Sequence, residues 1–339
     1  MYIESSLKER CQKILEENGG RIADRASRIL LEDPILKDLR PPLEFISKNW
    51  REPLTPSMMS LACEAVGGSS KETHETSLAM SLMHLCFYVW DDMVDKANFK
   101  SFKPTLFGKF GEGTALVIGG LASAKAFSIL NQMNMNEKKR KAVTKLVWDL
   151  WAKMAMAETI KLRLRSQENL SSEKKFWIIK MEAIDLETCL SIGAVLGNGS
   201  EAEVKNLGRY GLYLGIILEL LKDFLVSVNL TLELAGKIRS GALPYSLLWA
   251  KERSDKIRKK LELLANEDTI EPSDIKEIVK SNFETKALNN TLEIVKRFTK
   301  KGKAELSKLT KNNRTTQTLK FFVEAQPQLL IEDLRTFQL

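Results

Sequence analysis

Helical periodicity runs through almost the whole of this 339-residue chain. Apolar residues recur at i, i+3, i+4 and i+7, the spacing that lines one face of an α-helix, and strand-like alternation is nearly absent. Helix starts with cap chemistry are read at Thr55-Pro56, from Ser70 to Glu72, at Ser171-Ser172-Glu173 and at Glu271-Pro272-Ser273. Breaks are read at Pro41-Pro42, Gly67-Gly68, Lys103-Pro104, Gly197 to Gly199 and Gly241 to Pro244. No linker and no internal repeat divides the chain. The expectation is an all-α fold in a single helical domain over residues 1–339.

One segment departs from plain amphipathic helix. The apolar run Leu85-Cys86-Phe87-Tyr88-Val89-Trp90 leads directly into Asp91-Asp92-Met93-Val94-Asp95. On a helix, Asp91 and Asp95 share a face one turn apart. Carboxylates at that spacing suit Mg²⁺, a hard cation that keeps several waters and bridges carboxylates to phosphates. The apolar run would then line a slot ending at the metal. The same pattern alone also fits a solvated acidic helix end, so the rest of the chain must decide.

Composition removes several alternatives. Only two histidines are present, His74 and His84, which argues against a histidine zinc site or a Ser-His-Asp triad. Cys11, Cys63, Cys86 and Cys189 lack CxxC pairing and read as reduced, buried thiols of a cytoplasmic protein. The net charge is +8, with lysines clustered at Lys138-Lys139-Arg140-Lys141 and from 296 to 311. No aromatics interleave with them, so they read as solvated helix faces and not as a nucleic-acid site. The first residues lack a signal-peptide layout. No run reaches the ~18 apolar residues of a membrane span. Ala115–Phe127 and Tyr210–Leu221 read as buried core helices. No transmembrane segment is expected, and peripheral contact with a membrane stays compatible.

In order along roughly residues 25–325, the chain resembles the trans-isoprenyl diphosphate synthases and the class I terpene synthases that share their fold. Leu61 to Gly68 resembles the family's first core helix and the turn after it. His84 stands where the family has a histidine, and Asp91, Asp92 and Asp95 match its first aspartate-rich motif. Lys180 matches the lysine of a Lys-Thr pair. Tyr210 to Gly215 followed by Glu219 resembles the approach to the second aspartate-rich motif. Gly236-Lys237 and Leu243-Pro244 resemble the loop and helix after that motif. The resemblance implies the isoprenoid synthase fold, an antiparallel helical bundle around a central cavity. It also implies two or three Mg²⁺ ions, a prenyl diphosphate substrate and a homodimer. Asp91, Asp92, Asp95 and Asp223 are its implied catalytic residues.

The departures from the family pattern are as informative as the matches. The stretch matching the family's Gly-Lys-x-x-Arg-Pro is Arg51-Glu52-Pro53-Leu54-Thr55-Pro56, with Glu52 for the lysine and Thr55 for the arginine. The arginine pair after the first motif is matched by Lys100-Ser101, so only the allylic-side cation survives. Each charge-assisted phosphate contact is worth roughly 1.5–3 kcal/mol. Losing three at the second-substrate site would cost several powers of ten in affinity, and Arg51 or Lys48, within a few positions in sequence, could compensate in part. The second motif keeps one aspartate, Asp223. Glu219, Asp223 and Ser227 lie at i, i+4 and i+8 and are the implied second metal set, with a surface Glu-Lys-Asp cluster as the alternative. Lys100, Lys180, Lys222 and Lys237 are the implied diphosphate cations. Met83, His84, Phe87, Tyr88, Trp90 and Trp177 are the implied cavity lining, although aromatics at helical spacing and a lone histidine equally fit plain core. Lys161, Arg163 and Arg165 read as an exposed face.

With the second-substrate cations eroded and the ionising motif intact, the sequence points first to a terpene synthase. Such an enzyme ionises a linear C15–C25 prenyl diphosphate with Mg²⁺ and cyclises or quenches the cation. A chain-elongating polyprenyl diphosphate synthase of farnesyl or geranylgeranyl type is the alternative. A non-catalytic partner subunit is the third reading.

Overall fold

The structure, a computed structural model, describes residues 6–100, 103–166, 170–228, 232–267, 269–311 and 313–336, without the side chains of 164–166, 232, 330 and 332–336. In chain order its helices are α1 (Leu7–Arg28), α2 (Arg40–Asn49), α3 (Leu54–Ala65), α4 (His74–Val94), α5 (Leu106–Gln132), α6 (Glu137–Ser166), α7 (Ser172–Glu182) and α8 (Ile184–Leu196). There follow α9 (Glu201–Val228), α10 (Leu232–Arg239), α11 (Tyr245–Lys251), α12 (Asp255–Ala265), α13 (Pro272–Glu284), α14 (Ala287–Leu306) and α15 (Arg314–Thr336). Among the described residues the only sheet is a short antiparallel hairpin, β1 (Phe99–Lys100) with β2 (Lys103–Pro104).

Several helix ends follow from local chemistry. Ser6 and Glu9 form a reciprocal capping box on α1, the Glu9 amide donating to Ser6 Oγ at 3.2 Å and the Ser6 amide to Glu9 Oε2 at 2.8 Å. Ser171 caps α7, and Pro272 occupies the first turn of α13 as its fixed φ favours. The same rule corrects the reading of Pro41-Pro42 as a break. Both sit in the first turn of α2, where a missing N–H costs nothing. Ser70 to Glu72 form a 3₁₀ turn, and α4 starts only at His74.

By packing the chain divides into two compact units, each drawn from separate stretches of sequence. The first comprises residues 1–150, 186–211 and 304–322. Its core is built on α3 and α4, where Met58, Met59, Leu78, Leu82 and Leu85 are fully buried. Helix α5 packs extensively along α4. Gly119 makes that approach feasible, because a Cβ there would collide with the indole Nε1 of Trp90. The second unit comprises residues 151–185, 212–303 and 323–339. Its core gathers Leu234, Ile238, Leu247, Ile257, Leu261, Ile278 and Val279 from α10 to α13.

Helix α5 differs from its sequence reading. It is long and apolar enough to cross a membrane by length and composition, and only 28% of its most apolar window is buried. Ala115, Ile118, Ala122 and Ala126 face the core, while Leu116, Val117 and Phe127 are exposed. The stretch 115–127 is therefore not a buried core helix. Apart from Ile118, the core-facing residues of this stretch are small, while Leu116, Val117 and Phe127 point outward.

Trp90 immediately precedes the acidic segment, so its packing anchors that helix end. We expect Gly119→Val to lower stability by about 1–3 kcal/mol through overpacking against Trp90. Gly120→Ala, whose Cβ meets open space, should raise stability by about 0.5–1 kcal/mol from helix propensity. Thermal unfolding followed by circular dichroism separates the two.

Candidate active site

Within the first unit, Asp91 and Asp92 lie in the last turn of α4 and Asp95 is its C-cap. The backbone closes this end with Asp95 N–H donating to the Asp91 carbonyl at 2.8 Å and Ala97 N–H to the Asp92 carbonyl at 2.9 Å. A helix C-terminus carries the negative end of the macrodipole, so three carboxylates there are electrostatically adverse. A cation must compensate them. The hairpin supplies one: the Lys100 ammonium lies 3.0 Å from Asp91 Oδ2 and 2.5 Å from Asp92 Oδ1. It also sits 5.3 Å from the centroid of the Tyr88 ring, a cation–π distance. Thr105 holds the hairpin's far end, its hydroxyl donating to the Ala97 carbonyl at 2.6 Å and accepting from Gly108 N–H at 2.9 Å.

Asp92 has no exposed surface. Burial pushes its pKa up to about 6, Lys100 opposes this, and Asp91 and Asp95 add to it. Its Oδ2 has no hydrogen-bond partner among the described residues. An orphaned buried carboxylate oxygen beside two further carboxylates has the hard-oxygen chemistry that a divalent cation such as Mg²⁺ takes. Among the described residues no three His, Cys, Asp or Glu side chains converge on one point. Lys100 provides the positive charge in this arrangement.

A cavity of about 180 Å³ opens beside Lys100. Phe45, Ile46, Trp50 and Leu106 give it apolar walls, and Tyr88, Asn49, Lys100 and Lys103 bring polar groups to it. Lys100 and Lys103 are directly opposed across the hairpin, a like-charge pairing that destabilises a strand pair unless something compensates it. Asp91 and Asp92 compensate Lys100; Lys103 is exposed and has no carboxylate against it among the described residues. Ser101 lies outside the described residues.

The stretch read as an eroded phosphate patch has other work. Arg51 makes a bidentate pair with Glu16 at 2.7 Å through both terminal nitrogens and reaches Asp24 Oδ1 at 2.6 Å. These carboxylates hold its pKa above the ordinary arginine value. Arg51 is thus committed to α1, which corrects its reading as a compensating cation. The Glu52 carboxylate accepts from the amides of Leu54 at 2.6 Å and Thr55 at 3.1 Å, and so caps α3. Thr55 Oγ1 lies 3.4 Å from His84 Nδ1. The four cysteines are buried and free, and burial lifts the Cys63 and Cys86 thiols to about 12.

In the second unit, Asp223 on α9 has both oxygens engaged. The Lys175 ammonium of α7 lies 3.3 Å from Oδ1, and the backbone N–H of Tyr245, first residue of α11, donates to Oδ2 at 2.8 Å. Lys175 escaped the sequence reading, which took Lys180 from the same helix. Lys180 is exposed and sits 4.6 Å over the Phe176 ring. Glu219 pairs with the largely exposed Lys222 at 3.6 Å. Ser227 is fully buried and its hydroxyl donates to the Phe224 carbonyl at 2.7 Å. Each member of the implied metal set Glu219, Asp223 and Ser227 thus has a protein partner in this structure. Lys237 is half-buried on α10. Lys161 is not on an exposed face: it lies between Glu158 at 2.6 Å and Glu182 at 2.9 Å. The side chain of Arg165 lies outside the described residues.

The implied lining also divides. Met83 has no exposed surface and is core. His84, Phe87, Tyr88 and Trp90 are half-buried, and Tyr88 lines the cavity beside Lys100. Trp177 is exposed. The basic clusters pair internally: Lys141 with Glu137, Lys145 with Asp149, Lys296 with Glu293 and Lys308 with Glu305.

This architecture is the isoprenoid synthase fold. A polyprenyl synthase from Caulobacter crescentus, solved with calcium and isoprenyl diphosphate, superposes with a TM-score of 0.81 at 20% identity over 96% of this chain and 99% of that one. A geranylgeranyl pyrophosphate synthetase from Pyrococcus horikoshii gives 0.80 at 20% identity over 95% and 98%. The polyprenyl synthetase family profile matches residues 43–281. The chain belongs to the polyprenyl synthetase family. Its sequence is 29% identical to geranylgeranyl pyrophosphate synthase 11 of Arabidopsis thaliana over 230 residues, 63% of this chain and 64% of that protein. It is 29% identical to a geranylgeranyl diphosphate synthase of Methanosarcina mazei over 199 residues, 56% of this chain and 59% of that protein. The chain thus aligns with less than two thirds of the length of these relatives.

The buried Asp92 gives a signed pH dependence. Its folded pKa is raised, so the stability it contributes is full below about pH 4 and is lost as the pH rises through about 6. In chelator, Asp92→Asn should therefore be more stable than the parent at pH 8, with the difference shrinking towards pH 4. Equal melting differences at both pH values would contradict the burial argument.

Proposed function

We propose that the chain is a chain-elongating prenyl diphosphate synthase, which revises the first expectation of a terpene synthase. Membership of the polyprenyl synthetase family and relatives named as geranylgeranyl diphosphate synthases support this reading. The observation that carries it is the opposed pair Lys100 and Lys103 beside the acidic end of α4. Two ammonium groups on one small cavity suit a diphosphate, and Lys103 replaces a cation missing from the stretch 51–56. The cavity lies below the usual size for a drug-sized ligand, so it suits a diphosphate or a five-carbon unit and not a whole prenyl chain.

Mg²⁺ held by Asp91, Asp92 and Asp95 would neutralise the charge that develops on a departing diphosphate. Lys100 orients the allylic diphosphate and shares that charge. Phe45, Ile46, Trp50 and Leu106 keep water from the allyl cation. Lys103 holds the second diphosphate so that its double bond attacks the allylic carbon; the tertiary cation so formed loses a proton to the departed diphosphate, giving a diphosphate longer by one unit.

A second reading is favoured by Arg51 and Glu52, which are tied to α1 and α3 and are withdrawn from phosphate binding. A single-substrate terpene synthase would need neither. Incubation of C10, C15 and C20 allylic diphosphates with Mg²⁺ and radiolabelled isopentenyl diphosphate decides between them. Label in a longer diphosphate is expected. A hydrocarbon or alcohol formed equally without isopentenyl diphosphate would favour the second reading.

Two variants sharpen the assignment. Asp91→Ala should abolish turnover while leaving the circular dichroism spectrum unchanged, because Asp91 is polar and partly exposed. Lys103→Ala should raise the KM for isopentenyl diphosphate about 10- to 100-fold, the value of one charge-assisted contact. Its KM for the allylic substrate should barely move.

A further inference from the structure

We propose that the second acidic segment of this chain holds no divalent metal ion, and that Lys175 supplies the positive charge at Asp223 instead. The inference rests on the reading of Asp91 and Asp95 as the metal site. It departs from the two or three ions that the family resemblance implies.

A divalent site needs oxygen ligands that are open to the ion, and usually more than one carboxylate. Only one aspartate survives on α9, and both of its oxygens are engaged. The Tyr245 N–H on Oδ2 belongs to the first turn of α11, which directly follows Pro244. That amide has no intrahelical acceptor, so Asp223 serves as its partner. The Lys175 ammonium on Oδ1 is largely buried, its side chain 16% exposed. Burial works against its charge, yet Asp223 and Glu182 together carry its pKa above the ordinary lysine value. A metal ion entering here would have to expel that ammonium and leave it uncompensated, a costly exchange in a buried setting.

The other donors of α9 are engaged as well: Glu219 pairs with Lys222, and Ser227 donates into its own helix. Glu158 and Glu182 flank a second lysine, Lys161, and although Glu158 Oε2 has no hydrogen-bond partner among the described residues, a metal ion there would meet that ammonium too. The contrast with the end of α4 is chemical. There two adjacent aspartates share one lysine, with a third aspartate one turn on; at Asp223 a single carboxylate has a lysine and an amide.

The test counts bound Mn²⁺ by electron paramagnetic resonance in titrations of the full chain with inorganic pyrophosphate present. The parent is compared with Asp223→Asn and with the double variant Lys175→Met/Asp223→Asn. The double variant removes both charges, so it leaves no buried ion unpaired if the single variant folds poorly. The expected result is an unchanged number of bound ions and a dissociation constant within about twofold of the parent. Loss of one Mn²⁺ per chain in the double variant would overturn the proposal. An Asp91→Asn arm isolates the reading on which it rests. That variant should bind Mn²⁺ at least about tenfold more weakly, and if it does not, the α4 site is wrong whatever Asp223 shows.

Discussion

The end of α4 is electrostatically unfavourable on its own terms. Three aspartates stand where the helix dipole is already negative, and one of them has no access to water. Folding tolerates this because a hairpin returns Lys100 onto Asp91 and Asp92 within bonding distance. Much of the first unit serves that arrangement. Trp90 anchors the helix end against Gly119, Thr105 fixes the hairpin, and α2 walls the cavity beside the lysine. An arrangement adverse for stability and supported from several sides is the usual mark of a functional site.

The charges of the second unit are disposed differently. Asp223 is paired with Lys175 and accepts a hydrogen bond from the Tyr245 amide, and Lys161 lies between two glutamates. At Asp223 both carboxylate oxygens already have protein partners, and displacing the buried ammonium would leave it uncompensated. The two acidic segments look similar as sequence patterns, yet they differ in what their surroundings leave available. Arg51 makes the same point: its charge is intact, but Glu16 and Asp24 have claimed it.

What was legible in the sequence is what depends on local order. The all-α fold follows from a period that persists along the chain. The contact between Lys100 and Asp91 spans nine residues, so the acidic motif and its lysine could be read together. Lys175 meets Asp223 only because α7 packs against α9, 48 residues apart in sequence, and no spacing reports that. The partners of Arg51 are similarly remote. Helix α5 was misread because its composition is apolar on every face, and composition does not say which face is covered. Lys180, which the family resemblance gives as a diphosphate cation, is exposed, and the lysine that touches Asp223 lies five positions earlier.

The account turns on the carboxylates at the end of α4 being a divalent metal site poised against a diphosphate. Anomalous diffraction from crystals grown with Mn²⁺ and pyrophosphate tests this directly. The account predicts anomalous peaks bonded to the carboxylate oxygens of Asp91 and Asp95, with Lys100 turned from the aspartates onto phosphate oxygens. Pyrophosphate bound with no peak at these carboxylates, and Lys100 still seated on Asp91 and Asp92, would contradict it.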